Sequence, residues 1–166
     1  MRVHGLGVGL ALLLSGCGAF SGNGSGATNS YIGSWLYFSG TESQTCDDGT
    51  APTMPLQGNA LTITQGASSS ELVVQEGPCQ VTFVIGSSGA TLTHEQECTF
   101  SGTGSNSGGT FTYTANISFT QSSLVYNNDS DLRIAQADRR ILQYPGKRLD
   151  CEVNTNGSLQ KLNGRE

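Results

Sequence analysis

The sequence contains few charged residues and no strongly basic segment. Charged side chains make up 13% of the 166 residues, about half the fraction usual for globular proteins, and the formal net charge is −5. The basic cluster of Arg139, Arg140, Lys147 and Arg148 lies among aspartates and is interpreted as a solvent-exposed face. These features argue against nucleic acid as a partner. Low charge with 23 glycines is typical of an exported β protein rather than a disordered chain.

Motifs for catalysis and metal binding are also missing. His94 is the one histidine beyond the first 16 residues. Its alternation with Leu92 and Cys98 allows an inward position, but a single histidine beside polar strand residues is interpreted as a structural or surface residue. The same alternation places Glu95 and Glu97 on the opposite face, so the three do not form an acid–base set. The sequence has no G-x-S-x-G turn, H-E-x-x-H pair or phosphate-binding loop. We therefore expect no enzyme activity, no cofactor and no metal site.

The first 16 residues have the features of a secretory signal. Arg2 supplies a short positive segment, and residues 6–14 form an apolar run that is far shorter than the ~20 residues needed to span a bilayer. The run ends in Leu-Ser-Gly-Cys at positions 14–17, which resembles the lipobox of bacterial lipoproteins. The resemblance implies cleavage before Cys17, lipidation of its sulfur and attachment of the protein to a lipid bilayer.

The residues after the lipobox favour an anchored domain in the bacterial cell envelope. Gly18 follows the cysteine, whereas an aspartate there resembles a signal for inner-membrane retention, so we expect the outer membrane. Residues 17–30 are rich in Gly and Ser and are predicted to form a flexible tether. Residues 31–163 are predicted to form the folded domain.

From Tyr31 onward the hydrophobic period changes to two, which is typical of β-strands. Eight strands are predicted, at residues 35–46, 59–65, 71–75, 79–85, 91–100, 110–120, 123–126 and 149–153. Residues 131–140 are expected to form a short helix or a long loop. Eight strands joined by short turns favour an antiparallel up-and-down barrel, with a β-sandwich as the alternative.

The start of the first predicted strand carries a motif. Gly33-Ser34-Trp35 resembles the G-x-W motif of the lipocalin and avidin superfamily. The resemblance implies that Trp35 closes the floor of a barrel, that Gly33 lets the chain enter it, and that an arginine near the last strand packs over the tryptophan. Arg148 is the nearest candidate for that arginine. Residues 31–162 also resemble small Thr/Gly-rich lipoproteins of Gram-negative bacteria.

Four cysteines remain once Cys17 is assigned to lipidation, an even number that predicts two disulfides in an exported protein. In an eight-stranded meander Cys46, Cys79, Cys98 and Cys151 all fall on one rim. Predicted strands four and five are neighbours, and strands one and eight become neighbours if the barrel closes. This arrangement favours Cys79–Cys98 with Cys46–Cys151, and Cys46–Cys79 with Cys98–Cys151 is the alternative.

The predicted interior of the barrel bears on function. It contains six bulky aromatic residues, and an eight-stranded barrel leaves little spare volume around them: Trp35, Tyr37, Phe83, Phe111, Tyr113 and Phe119. We therefore expect an envelope lipoprotein with a structural or protein-binding role. The alternatives are binding of a small apolar ligand, as in lipocalins, and inhibition of a periplasmic protease, since one inhibitor family is also a G-x-W barrel.

Overall fold

The computed structural model describes residues 29–106 and 109–162, which form an almost entirely β structure. Its strands are β1 Gly33–Cys46, β2 Thr53–Pro55, β3 Ala60–Gln65, β4 Glu71–Glu76, β5 Cys79–Gly86, β6 Gly89–Leu92, β7 Gln96–Asn106, β8 Gly109–Asn128, β9 Asp131–Tyr144 and β10 Lys147–Lys161. A helical turn at residues 29–31 precedes β1, so the last two residues of the predicted tether belong to the folded part. The described residues include no helix that is long and apolar enough to cross a membrane.

The ten strands form one antiparallel sheet that closes on itself. The order runs β10-β9-β8-β6-β5-β4-β3-β1, and β1 pairs again with β10. The ring has eight strand positions, because β2 continues the position of β3 along β1, and β7 continues the position of β6 along β8. The predicted all-β antiparallel ring is thus confirmed, although it is not evenly barrel-shaped.

The ring is uneven because its strands differ in length. Strands β3, β4, β5 and β6, which we call the short wall, have four to eight residues each. Strands β1, β8, β9 and β10, the long wall, have 14 to 20 residues each. The ring closes around Trp35, at what we call the tryptophan end. The long wall continues past the short wall towards Cys46 and Cys151, at the disulfide end.

Several of the predicted elements are wrong. The predicted strand 91–100 is divided between β6 and β7, because a bend follows Leu92. The single strand β8 contains both predicted strands 110–120 and 123–126. A bulge between Phe119 and Gln121 shifts the alternation by one residue while the strand continues, so the apolar pattern is interrupted without a turn. Residues 131–140, expected as a short helix or loop, belong to β9 and pair with both β8 and β10.

The hydrophobic core fills the tryptophan end. Its largest fully buried side chains come from alternate positions of the strands: Trp35, Tyr37, Leu61, Ile63, Leu72, Phe83, Leu124, Leu132 and Leu159. Phe111 and Tyr113, which were also predicted to be interior, are only partly buried. They lie on the part of β8 that extends beyond the short wall, where their rings cover Gly104 and Gly102 of β7.

The G-x-W motif lies at the tryptophan end. Gly33 has φ of +141°, a backbone conformation that favours glycine, and Trp35 is fully buried with its indole Nε1 donating to the Tyr31 carbonyl at 2.7 Å. The cation over the indole ring is Lys161, whose Nζ lies 5.4 Å from the ring centroid. The prediction of Arg148 is therefore wrong, because β10 begins at the disulfide end and reaches the tryptophan only at its last residues.

Both predicted disulfides are confirmed. Cys46 and Cys151 are directly opposed in the β1–β10 pairing that closes the ring. Cys79 and Cys98 join β5 to β7. The side-chain amide of Gln96 reinforces the second link, since it accepts from the Thr82 amide at 2.8 Å and donates to the Thr82 carbonyl at 2.7 Å. These contacts attach the start of β7 to β5. They take over from the backbone pairing with β5, which β6 makes and β7 does not continue.

Candidate functional site

A cleft of about 380 Å³ lies inside the ring where the short wall stops. Strand β4 ends at Glu76 and β5 begins at Cys79, while the long wall opposite continues. The larger apolar side chains that line the cleft are Val74, Val81, Phe83, Phe100, Ile117 and Phe119. Its polar side chains come from opposite sides of the ring: Glu42, Asn59, Glu76, Gln136 and Arg140. The cleft therefore combines an apolar lining with a few convergent polar groups, which is the usual composition of a small-molecule site.

Arg140 is the centre of the polar groups. Its Nη1 and Nη2 donate to the two carboxylate oxygens of Glu42 at 2.8 and 2.7 Å, and its Nε donates to Asp138 at 2.7 Å. The side chains of Arg140, Glu42 and Asp138 are 20%, 12% and 0% exposed. Burial lowers the pKa of the guanidinium, but the hydrogen bonds to Glu42 and Asp138 outweigh it, so the pKa of Arg140 is raised and the group stays charged.

Glu76 faces this group from the end of β4. Burial is the largest cause of a raised pKa for its carboxyl group, and Glu42 and Asp138 raise the pKa further. Tyr37 and Arg140 act in the opposite direction without cancelling the shift. The described residues provide no cation within ion-pair distance of Glu76, because the hydrogen bonds of Arg140 go to the other two carboxylates.

Two buried hydroxyl groups in this region have no hydrogen-bond partner. The Tyr37 side chain is fully buried beside Glu76, yet the two groups do not meet with the distance and angles of a normal hydrogen bond. Burial, and then the charge of Glu76, raises the pKa of Tyr37. The Thr155 hydroxyl is also buried and unpaired, and Thr155 lies opposite Glu42 in the β1–β10 register. Such groups normally find partners, because leaving them unpaired costs free energy.

Replacing Glu76 with Gln tests the effect of burying this carboxylate. Because its folded-state pKa is raised, the stability it contributes is fully present below the unfolded-state pKa and is lost as pH rises through the folded-state value. We expect Glu76→Gln to remove this loss, so that the variant gains stability relative to the wild type as pH rises from about 4 to about 8. Urea unfolding across that pH range measures the difference. Glu97→Gln, an exposed glutamate on β7, is the control and should show no such trend.

The described residues that the sequence analysis predicted as site residues lie away from the cleft or at its border. Cys17 lies outside the described residues. Trp35 and Gly33 are at the tryptophan end, and of the disulfide cysteines only Cys79 lines the cleft. His94, interpreted from the sequence as a structural or surface residue, is exposed, with its Nδ1 2.8 Å from the Thr93 hydroxyl. It does not take the inward position that alternation allowed, because a bend between β6 and β7 interrupts the alternation there.

The sequence analysis missed the central residue of the site. Arg140 was assigned with its basic neighbours to a solvent-exposed face, and this is wrong for Arg140 alone. The other three are exposed and form ion pairs with aspartates: Arg139 and Arg148 with Asp150, and Lys147 with Asp48. A usable signal was present, since alternation from Leu132 and Ile134 places residues 136, 138 and 140 on the inner face.

The arrangement is suited to binding by charge and hydrogen bonding. Within residues 29–106 and 109–162, no three His, Cys, Asp or Glu side chains are grouped so that they could hold a metal ion. Comparison with protein-family models, with curated proteins and with solved structures found no match to this chain. Any functional conclusion therefore depends on the residues of the cleft and of the N-terminal segment.

Proposed function

We propose that this chain is a lipid-anchored lipoprotein of the bacterial envelope whose ring domain binds a small molecule in the interior cleft. The cleft is the observation that carries the binding role. Its volume of about 380 Å³ falls within the range of ligand pockets, and it combines apolar walls with convergent polar groups.

The aromatic content of the interior led us to expect a structural or protein-binding role. The arrangement of that interior favours small-molecule binding instead. Trp35, Tyr37 and Phe83 pack the tryptophan end tightly, as that expectation required. The remaining volume lies above them, where the short wall ends. Titration with a small neutral aromatic molecule tests the binding role, because a fully packed interior would not admit it.

The geometry of the N-terminus is compatible with a lipid anchor. The described chain begins at residue 29, and the ring of Tyr31 packs against Tyr126 at the tryptophan end with the centroids 5.4 Å apart. A tether reaching back to Cys17 would therefore attach the domain by this end. The cleft would lie on the far side of the core from the membrane, proposed to be the outer membrane, and would be open to the surrounding compartment.

Replacing Cys17 with Ser tests the anchor. A hydroxyl group cannot form the thioether of a lipoprotein, so we expect the variant to lose labelling by a fatty-acid analogue and to remain as an unprocessed precursor. Metabolic labelling and envelope fractionation measure both effects. Ser15→Ala, which keeps a small residue in the motif, is the control and should still be labelled. Continued labelling of the Cys17→Ser protein would contradict the proposal.

A further inference from the structure

The charges at the cleft do not balance. Glu42, Glu76 and Arg140 line the cleft, and the fully buried Asp138 lies beside Arg140, so three carboxylates accompany one guanidinium. Arg140 uses its Nε, Nη1 and Nη2 on Glu42 and Asp138, which leaves Glu76 as the excess negative group. Glu76 is partly buried, and a carboxylate held there without a cation is unfavourable, so this position would be stabilised by a positively charged ligand.

The Glu76 carboxylate is the group of the cleft that can take a charged ligand. It lies at the end of the short wall and lines the cleft, whereas the neighbouring Tyr37 is fully buried and does not line it. An ammonium group has three donors and one positive charge, so it suits a carboxylate that has no cation.

The rest of the cleft fits a hydrocarbon group. Phe83, Phe100 and Phe119 present three aromatic rings, with Val74, Val81 and Ile117 between them. Aromatic faces attract cations as well as apolar surface, so this lining does not oppose a charged head group held at one end. A volume of about 380 Å³ accommodates a molecule with one aromatic ring and a short side chain.

We propose that the cleft binds a small primary amine, with its ammonium group held by Glu76 and its hydrocarbon part packed against the phenylalanine rings. This inference rests on the proposed function of the ring as a binding module and specifies the class of ligand. The Arg140 ion pairs hold Glu42 and Asp138 in place and leave Glu76 to make the new contact.

Three water-soluble probes of similar size test the charge requirement: 2-phenylethylammonium, 2-phenylethanol and 3-phenylpropanoate. The mature lipidated protein in phosphatidylcholine nanodiscs is titrated with each probe by calorimetry, and empty nanodiscs correct for partitioning. We expect the ammonium to bind at least tenfold more tightly than the alcohol, and the carboxylate to bind more weakly still, because a charge-assisted hydrogen bond contributes about one to two orders of magnitude in affinity.

Variants locate the site. Glu76→Gln should weaken binding of the ammonium about tenfold or more and leave binding of the alcohol unchanged, whereas Glu97→Gln on the outer face of β7 should change neither. Affinity for the ammonium should also rise with pH as Glu76 ionises, at a pH above the usual range for a glutamate because its pKa is raised by burial, and this rise should be absent in Glu76→Gln. Glu42, Asp138, Arg140 and Tyr37 are the other titratable groups facing Glu76.

The outcomes separate the two proposals. If the alcohol or the carboxylate binds as tightly as the ammonium, the amine proposal is overturned while the ring remains a binding module. If Glu76→Gln leaves the affinity for the ammonium unchanged, the amine proposal is also overturned. If none of the probes binds at millimolar concentration, both the amine proposal and the binding role are overturned. Circular dichroism of each variant confirms that a loss of binding does not reflect unfolding.

Discussion

Replacing Arg140 with Met is expected to destabilise the fold by about 3–5 kcal/mol, because it leaves Glu42 and Asp138 buried without a cation. Met keeps much of the length of the side chain and its packing, so the loss reports mainly on charge. The free energy of unfolding in urea, followed by circular dichroism, measures the effect.

Arg139→Met is the matched control for this variant. Arg139 is the neighbouring residue of the same strand, but it faces outward, and its ion pair with Asp150 is exposed to solvent. Exposed ion pairs contribute little, so this change should leave stability nearly unaltered. Equal effects of the two variants would contradict the assignment of Arg140 to a buried network.

Replacing all three charged side chains separates two contributions to the free energy of unfolding. One is the cost of burying the charged group, and the other is the cost of leaving its carboxylates without a cation. The triple variant Glu42→Gln, Asp138→Asn and Arg140→Met removes the two carboxylates that Arg140→Met alone would leave without a cation. We expect its stability to recover most of the loss seen in Arg140→Met alone, since ion pairs buried in proteins can often be replaced by neutral side chains at little cost. A triple variant as unstable as the single one would mean that packing of the Arg140 side chain, not its charge, holds this region together.

Much of the architecture could be predicted because it depends on local alternation. Alternate positions are apolar in the short strands β3 to β5, at Trp35 and Tyr37 in β1, and at Cys98 and Phe100 in β7. Turn residues separate these strands. The disulfide pairing then followed from which strands are neighbours in a closed ring. Cys46 and Cys151 could meet only if the first and last strands paired, as they do.

Strand β9 was missed because its inner face is apolar only in its first half. Leu132 and Ile134 are buried in the core, but the next inner positions are Gln136, Asp138 and Arg140. A strand whose buried face changes from apolar to charged has no clear hydrophobic period. The polar residues that interrupt the hydrophobic period of β9 also contribute to the cleft, because Gln136 and Arg140 form part of its polar lining.

The charged network depends on contacts that are distant in the sequence. Arg140 and Glu42 are 98 residues apart and come together only because β10 lies between β1 and β9 in the closed ring. Glu76 reaches the same place from the opposite wall. Alternation can assign each of these residues to the inner face of its strand. It does not show that the three side chains lie at the same level along the axis of the ring. That depends on the stagger of the strands, which the bulges in β1 and β8 alter.

Replacing Trp35 with Ala is the second large effect that we expect, about 3–5 kcal/mol of stability. Trp35 is the largest side chain of the core and is fully buried, so truncation leaves a cavity at the closed end of the ring. It also removes the hydrogen bond to the Tyr31 carbonyl and the surface beneath the Lys161 ammonium. Because Trp35 is the one tryptophan of the chain, unfolding of the variant must be followed by circular dichroism rather than by indole emission.

Two further variants separate packing from the polar contacts of the indole. Trp35→Phe keeps an aromatic ring but cannot donate to Tyr31, so it should lose clearly less than Trp35→Ala. Phe38→Ala, three residues later on β1, removes an aromatic side chain that is 45% exposed, and should cost about 0.5 kcal/mol or less. The wild-type protein should show a blue-shifted emission spectrum that resists quenching. If Trp35→Ala were no more destabilising than Phe38→Ala, or if the indole were readily quenched, Trp35 would not close the core, and the ring would have to be stabilised chiefly by its long wall and its two disulfides.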